Sequence, residues 1–74
     1  MKAVIYSTPT CGYCKMAKTL LEKKGIDYEE FMVGTDITKN ELIETIGQDV
    51  RSVPQILIDN KYVGGYTELS KFLG

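Results

Sequence analysis

The chain contains two cysteines, Cys11 and Cys14, and their spacing is the feature most able to do chemistry. On a helix they lie nearly one turn apart on the same face, close enough to form a disulfide. The apolar run of residues 3–6 precedes them, and apolar residues at helical spacing follow. Cys11 is therefore expected at a helix start, where free N–H groups and the helix dipole stabilise an anion. We expect its thiol pKa below the ordinary value of about 8.5, with Cys11 as the attacking thiolate and Cys14 as the more buried resolving thiol.

A Cys-x-x-Cys pair can serve reversible disulfide exchange or form half of a metal site. The chain has no histidine and no further cysteine, so a tetrahedral zinc site would need carboxylates or a second subunit. The strand–loop–helix setting of the pair therefore favours disulfide exchange over metal binding.

The 74 residues and a hydrophobic content of 43% predict a single folded domain over residues 1–74. The net charge is −1 and there is no basic run, which argues against nucleic acid or an anionic membrane as partner. The apolar stretches are too short to span a bilayer, and the N-terminus enters the first strand without a signal-peptide pattern. We therefore expect a cytoplasmic protein, in the reducing cytosol or in that of a host cell. In that compartment a Cys-x-x-Cys pair is more often catalytic or metal-binding than structural.

Apolar periodicity and turn residues predict the element order β-α-β-α-β-β-α. The expected strands lie near residues 3–7, 28–33, 55–58 and 62–63, and the expected helices near residues 12–24 and 38–47 and after residue 67. Gly25 should end the first helix, Thr38 and Glu41 form a capping box, and Thr67 caps a last helix with Leu69, Phe72 and Leu73 on one face. This order predicts an α/β fold with a four-stranded mixed sheet and helices on both faces.

Two later motifs each have a structural and a functional interpretation. Pro54 is either an ordinary loop proline or a cis-proline that presents the backbone of Val53 beside the thiols. The glycine pair at residues 64–65 is either a turn or a close approach for a ligand, whose carboxylate would meet the amides of Tyr66 and Thr67.

Side chains of the first helix complete the candidate set. Tyr13 is expected to be exposed between the cysteines, where it could line a groove for a small thiol, whereas Tyr6 is expected in the core. Four lysines are expected mainly on the solvated face, with the first two near enough to favour a thiolate weakly: Lys15, Lys18, Lys23 and Lys24.

Three motifs resemble those of glutaredoxins in order and spacing: Cys-Gly-Tyr-Cys at residues 11–14, Ser-Val-Pro at 52–54 and Gly-Gly-Tyr-Thr-Glu at 64–68. The resemblance covers nearly the whole chain and is closest to compact bacterial and phage forms. It implies a thioredoxin fold, a cis peptide before Pro54 and glutathione as reductant. It also implies that the cysteinyl part of glutathione pairs with the Val53 backbone, that its γ-glutamyl carboxylate lies at Gly65, Tyr66 and Thr67, and that Tyr13 flanks its sulfur.

The chain departs from the usual pattern of this family at two positions near the cysteines. Gly12 replaces the commoner proline. Some relatives with glycine at this place resemble carriers of a 2Fe–2S cluster, which two chains and two glutathiones hold together. In this chain Cys11 would be the cluster ligand. Thr8 replaces a lysine, and Arg51 and Lys15 are the candidates to supply the missing cation. The loop at residues 47–52 is also longer than in many relatives.

The main hypothesis is a monomeric, glutathione-dependent oxidoreductase that reduces protein disulfides and glutathionylated proteins, with ribonucleotide reductase as one expected partner. Cys11 would attack, and Cys14 or free glutathione would resolve the product. The alternatives are a redoxin fed by thioredoxin reductase, for which Thr8 is the sequence feature, and the cluster-binding dimer suggested by Gly12.

Overall fold

The computed structural model describes residues 1–50 and 52–74, and this part of the chain follows the predicted element order. The bounds of the strands and helices are β1 Lys2–Ser7, α1 Gly12–Lys23, β2 Asp27–Met32, α2 Lys39–Ile46, β3 Gln55–Ile58, β4 Lys61–Gly64 and α3 Tyr66–Leu73. Within those ranges, the strands form a four-stranded mixed sheet, as predicted.

The strand order of the sheet is β2-β1-β3-β4. β1 pairs in parallel with β2, from Lys2 opposite Asp27 to Ser7 opposite Met32, and antiparallel with β3. The chain leaves the sheet after Ser7 and enters α1 a few residues later. The cysteine pair is therefore held at the carboxyl end of β1, an internal strand of the sheet.

Helices cover both faces of the sheet, as the order of the elements predicts. One face packs against α1 and α3 through a buried cluster of Ala3, Ile5, Ala17, Leu21, Ile56, Ile58 and Leu69. The other face packs against α2 through Tyr6, Leu42 and Val50. Full burial of a large aliphatic side chain contributes about 1.5–3 kcal/mol, so the first cluster fixes α1 and α3 against the strands that carry the site, and the second fixes α2.

The first two helices begin and end as predicted from their caps. Gly25 follows α1 with a φ of +70°, a left-handed conformation that glycine adopts without a steric penalty. At α2 the Thr38 hydroxyl accepts a hydrogen bond from the Glu41 N–H, and the Glu41 carboxylate accepts one from the Thr38 N–H. This capping box leaves the start of α2 closed by its own side chains.

The predicted start of α3 was wrong by two residues. Thr67 is not its cap: the helix begins at Tyr66, and the N-cap is Gly65, whose N–H donates to the Glu68 carboxylate at 2.8 Å. The glutamate at the third helical position thus accepts the N–H of the N-cap residue, although the N-cap residue has no side chain to return a hydrogen bond. Phe72, predicted to share one face with Leu69 and Leu73, is 54% exposed and lines a surface groove together with Tyr62 and Val63 of β4.

Candidate active site

Cys11 and Cys14 form a disulfide at the start of α1, with their Cα atoms 5.3 Å apart. Cys11 is the N-cap residue in extended conformation, and Cys14 lies in the first turn. Cys14 is 1% exposed, whereas Cys11 is partly exposed. The difference in burial between the two sulfurs matches the predicted division into an accessible and a buried thiol.

Backbone groups surround the Cys11 sulfur on two sides. The Cys14 N–H donates to Cys11 Sγ at 3.1 Å, so the sulfur caps the helix as a serine or threonine oxygen would. On the other side, the Val53 carbonyl oxygen lies 3.6 Å from the same sulfur. The helix N-terminus would stabilise negative charge on this atom once the disulfide is reduced, and the lowered pKa of Cys11 stays a prediction.

A groove of about 240 Å³ lies beside the disulfide. The peptide bond between Val53 and Pro54 is cis, as the resemblance implied. The groove is lined by every residue predicted for glutathione together with two that were not: Tyr13, Val53, Pro54, Gly65, Tyr66, Thr67, Ser52 and Glu68. Three segments that are far apart in sequence therefore converge next to the cysteines.

The start of α3 opens into this groove. Gly65 has no side chain to cap the helix, and the Glu68 carboxylate occupies only the Gly65 N–H. By helix geometry, the N–H groups of Tyr66 and Thr67 have no carbonyl partner within α3. These donors and the helix dipole make the end of the groove suited to a carboxylate.

The aromatic rings of Tyr13 and Tyr66 form one wall of the groove. Their centroids are 6.0 Å apart with the ring planes tilted by 36°. Tyr13 is 62% exposed, as predicted for a residue between the cysteines, and Tyr66 is half-buried. The pair gives the groove an apolar side opposite the backbone of Val53.

The family model for glutaredoxin matches residues 3–63 of the chain. The chain belongs to the glutaredoxin family. It is 39% identical to glutaredoxin 1 of Salmonella typhimurium over 92% of this chain and 85% of that protein. It is 40% identical to a glutaredoxin of Haemophilus influenzae over 99% and 91% of the two chains.

Solved glutaredoxin structures share the fold. The reduced glutaredoxin of Escherichia coli superposes with a TM-score of 0.85 at 34% identity, covering 99% of this chain and 93% of that one. A buckwheat glutaredoxin–glutathione complex has a TM-score of 0.77 at 29% identity, covering 93% and 64%. The predicted thioredoxin fold is thereby confirmed, and the chain is a thiol–disulfide oxidoreductase that carries a Cys-x-x-Cys motif.

Lys39 is a cation beside this glutaredoxin site that sequence reasoning missed. It lies in a second groove of about 200 Å³, which shares Ser52 and Val53 with the first. Of the two cations proposed to replace the missing lysine at Thr8, Arg51 lies outside the described residues, and Lys15 lines a different groove next to Tyr66. Lys39 was missed because its nearness to Val53 depends on how α2 packs on the sheet.

Lys18 departs from its predicted place on the solvated face. Its ammonium group lies 3.0 Å from the Glu30 carboxylate, which also accepts a hydrogen bond from the buried Ser7 hydroxyl. The Ser7 hydrogen bond and then Lys18 lower the pKa of Glu30, against the opposing effect of burial. The cluster joins the second turn of α1 to the ends of β1 and β2, under the loop that carries Cys11.

Two other kinds of site are absent from residues 1–50 and 52–74. No helix there combines the length and hydropathy that a bilayer crossing needs. Nor do three or more Cys, Asp or Glu side chains meet there as a metal-binding group.

Proposed function

We propose that residues 1–74 act as one domain that reduces disulfides and glutathione mixed disulfides with glutathione as electron donor. The observation that carries the proposal is the convergence of Tyr13, Val53 and the start of α3 on one groove beside Cys11. That groove offers an exposed backbone carbonyl, an apolar wall and free helix N–H groups next to the reactive sulfur. A small peptide thiol with a carboxylate at its end requires these three features.

Glutathione would lie along both grooves. Its cysteinyl backbone would pair with Val53, and its γ-glutamyl carboxylate would accept hydrogen bonds from the N–H groups of Tyr66 and Thr67. The Glu68 carboxylate lines the same end and would attract the adjacent α-ammonium group. The glycyl carboxylate at the opposite end would lie toward Lys39, which lines the adjoining groove. Opposite charges therefore meet at both ends of the tripeptide.

The reaction on a glutathionylated protein would begin with attack of the Cys11 thiolate on the glutathione sulfur. A Cys11–glutathione disulfide forms, the protein–glutathione disulfide breaks, and the protein thiolate leaves and takes a proton from water. A second glutathione thiolate then attacks the bound glutathione sulfur. Oxidised glutathione departs, and Cys11 is released as a thiolate.

The reaction on a protein disulfide would use both cysteines. Cys11 attacks one substrate sulfur, and the other substrate sulfur leaves as a thiol after protonation. The Cys14 thiolate then attacks Cys11 Sγ, which releases the second substrate thiol and forms the Cys11–Cys14 disulfide. Two glutathione molecules return this disulfide to the dithiol and leave as oxidised glutathione.

The choice of electron donor is tested by comparing initial rates with two reductants. One assay supplies glutathione with its reductase, and the other supplies thioredoxin reductase, each with a glutathionylated peptide and with a protein disulfide. We expect turnover of both substrates with glutathione. Turnover with thioredoxin reductase alone would replace the proposal by the alternative for which Thr8 is the sequence feature.

The role of Lys39 is tested by its replacement with glutamine. Lys39→Gln should raise the KM for glutathione about threefold to tenfold and leave kcat nearly unchanged, because the contact is made equally before and during reaction. The control is Lys61→Gln, which removes an exposed lysine of β4 outside both grooves. Equal KM values in the two variants would remove Lys39 from the binding site.

The cluster-binding alternative needs ligands from outside the chain. A 2Fe–2S centre takes four ligands, and one chain would offer only the Cys11 thiolate beside its bound glutathione. A bridged dimer with two glutathiones would complete the set. Anaerobic reconstitution with iron, sulfide and glutathione tests it: a coloured dimer would favour this reading of Gly12, and a colourless monomer would exclude it.

The proposed setting is the reducing cytoplasm, where glutathione is available as donor, with the chain acting as a monomer. Disulfide-bearing and glutathionylated proteins are the proposed substrates, and ribonucleotide reductase is a candidate among them. Turnover of purified oxidised ribonucleotide reductase with glutathione as donor is the measurement that decides its place.

A further inference from the structure

A third groove adjoins the active site along the exposed side of α1, and we call it the α1 groove. Its volume is about 330 Å³, and it is lined by Lys15, Met16, Thr19, Leu20, Lys23 and Tyr66. The proposed binding of glutathione leaves this groove unused, since glutathione would occupy the grooves on either side of Val53.

The α1 groove combines an apolar floor with positive charge. Met16 is 47% exposed and lies beside the partly buried Leu20. No carboxylate lines the groove, although the chain as a whole carries a net charge of −1. Within the described residues Lys15 and Lys23 form no ion pair, in contrast to Lys18 with Glu30. The two ammonium groups therefore lie on an apolar strip without counter-charges of their own.

The α1 groove is continuous with the active site through one side chain. Tyr66 lines both this groove and the groove beside the disulfide, and its ring contacts that of Tyr13. A mixed disulfide has two halves that must leave the reacting sulfur in different directions. With glutathione on the Val53 side, the protein half has an open path along α1.

We infer that the α1 groove binds an acidic segment of the substrate protein that flanks its reactive cysteine. The inference rests on the proposed function, because it concerns the protein half of a mixed disulfide at that site. Carboxylates of the segment would meet Lys15 and Lys23, and an apolar side chain between them would cover Met16.

Helix geometry sets where those carboxylates must lie. Lys15 and Lys23 are about 6 and 18 Å along the α1 axis from Cys11 at 1.5 Å per residue. An extended peptide advances about 3.3 Å per residue. Acidic residues about two and about five positions from the substrate cysteine would therefore face the two lysines.

The experiment compares two synthetic peptides, each glutathionylated at a single cysteine. One carries aspartate at the second and fifth positions on both sides of the cysteine, and the other carries lysine there. The wild-type protein should show a kcat/KM about fivefold higher for the acidic peptide, and the preference should fall as salt is added. The double variant K15E/K23E should reverse the preference. Using the ratio of the two peptides cancels any change in the reactivity of Cys11 itself.

The matched control is K24E/K61E, which makes the same change in net charge at two exposed lysines that do not line the α1 groove. This variant should keep most of the wild-type preference. The docking surface would be excluded if the two double variants had the same ratio of kcat/KM for the acidic and the basic peptide. It would also be excluded if the wild-type protein did not distinguish the two peptides. Glutathionylated free cysteine, which has no flanking residues, separates the two proposals. If the protein reduces it but shows no preference between the two peptides, only the docking surface is excluded. If the protein does not reduce it, the proposed function is excluded.

Discussion

The starts of α2 and α3 show two uses of the same backbone feature. At α2, Thr38 and Glu41 satisfy each other's N–H groups, so the N–H of the third helical residue already has a side-chain acceptor. At α3, Gly65 has no side chain, and the Glu68 carboxylate occupies one N–H group only. The closed start serves stability, and the open start faces the groove beside the disulfide. A helix start is left open to a ligand when its N-cap residue has no side chain to accept the N–H groups of the first turn.

The start of α1 lies between these two cases. Its N-cap sulfur accepts the Cys14 N–H, as a structural cap does, yet the same atom is the one proposed to react. The Cys14 N–H therefore has an acceptor in the resting molecule, and the helix start would still supply a favourable field for the anion formed on reduction. The three helix starts can be distinguished by mutation.

The largest expected effect is the loss of activity in Cys11→Ser. Serine is a good N-cap, so the helix should form normally while the nucleophile is lost. We expect glutathione-coupled disulfide reduction to fall by on the order of a thousandfold or more, with an unchanged circular dichroism spectrum. Cys14→Ser is the control and should keep partial activity on glutathionylated peptides. Equal activities of the two variants would contradict the roles assigned to them.

The next effect concerns the open start of α3 and is expected in Gly64→Ala. Gly64 has a φ of +128°, and an added Cβ would lie 2.8 Å from Glu68 Cγ, so the side chain that holds the Gly65 N–H would have to move. We expect a loss of about 2–3 kcal/mol in the free energy of unfolding, measured with urea, and weaker binding of glutathione.

Gly25→Ala is the control for this substitution, since Gly25 has a φ of +70° and no atom within 4 Å of the added Cβ. It should lose only the conformational part, about 1 kcal/mol. A loss in Gly64→Ala no greater than this would mean that the contact with Glu68 is unimportant.

A smaller effect is expected at the closed start of α2. Thr38→Ala removes the hydroxyl that accepts the Glu41 N–H and should lower the free energy of unfolding by about 1 kcal/mol. Glutathione-coupled activity should change little, because Thr38 itself lines neither of the two grooves proposed for glutathione. Thr45→Ala, which removes a hydroxyl bonded within the helix to the Glu41 carbonyl, should cost less. A loss of activity in Thr38→Ala would contradict the view that the cap of α2 contributes to stability alone, whereas the start of α3 takes part in binding.

The smallest expected effect is a pH dependence at the same cap. Hydrogen bonds from the Thr38 backbone and side chain lower the pKa of Glu41 below its ordinary value of 4.5. Its ionised form therefore adds stability that is fully present above about pH 4.5 and is lost as the pH falls through the lowered pKa.

Glu41→Gln keeps an oxygen acceptor for the Thr38 N–H but does not titrate. Between pH 6 and about pH 3, wild type should consequently lose more free energy of unfolding than Glu41→Gln. Parallel stability curves for the two proteins would show that the cap carries no charge effect.

Short-range patterns in the sequence were sufficient to predict most of the fold and the position of the cysteine pair at a helix start. The cysteine pair, the cap at Thr38 and the turn at Gly25 each depend on residues close in sequence, and each was predicted correctly. Thr67 misled because threonine is a common N-cap, whereas the true cap is a glycine served by Glu68 from three residues away.

Features that depend on tertiary packing were not predictable in the same way. Lys18 is drawn to Glu30 only once β2 lies beside β1 and α1 packs over both. The same holds for Lys39, which approaches Ser52 through the docking of α2 on the opposite face. In both cases the partners are distant in sequence, and no periodicity marks them.

The capping role of the Cys11 sulfur links the redox cycle to folding. In the proposed cycle this atom alternates between a neutral disulfide sulfur and an anion, and the anion would be the stronger partner for the first turn of α1. Through this contact the folded helix favours the dithiol over the disulfide, and unfolding would cancel that bias. The reduction potential of the cysteine pair therefore depends partly on the intact helix. A short peptide that contains the same two cysteines would not have the same potential.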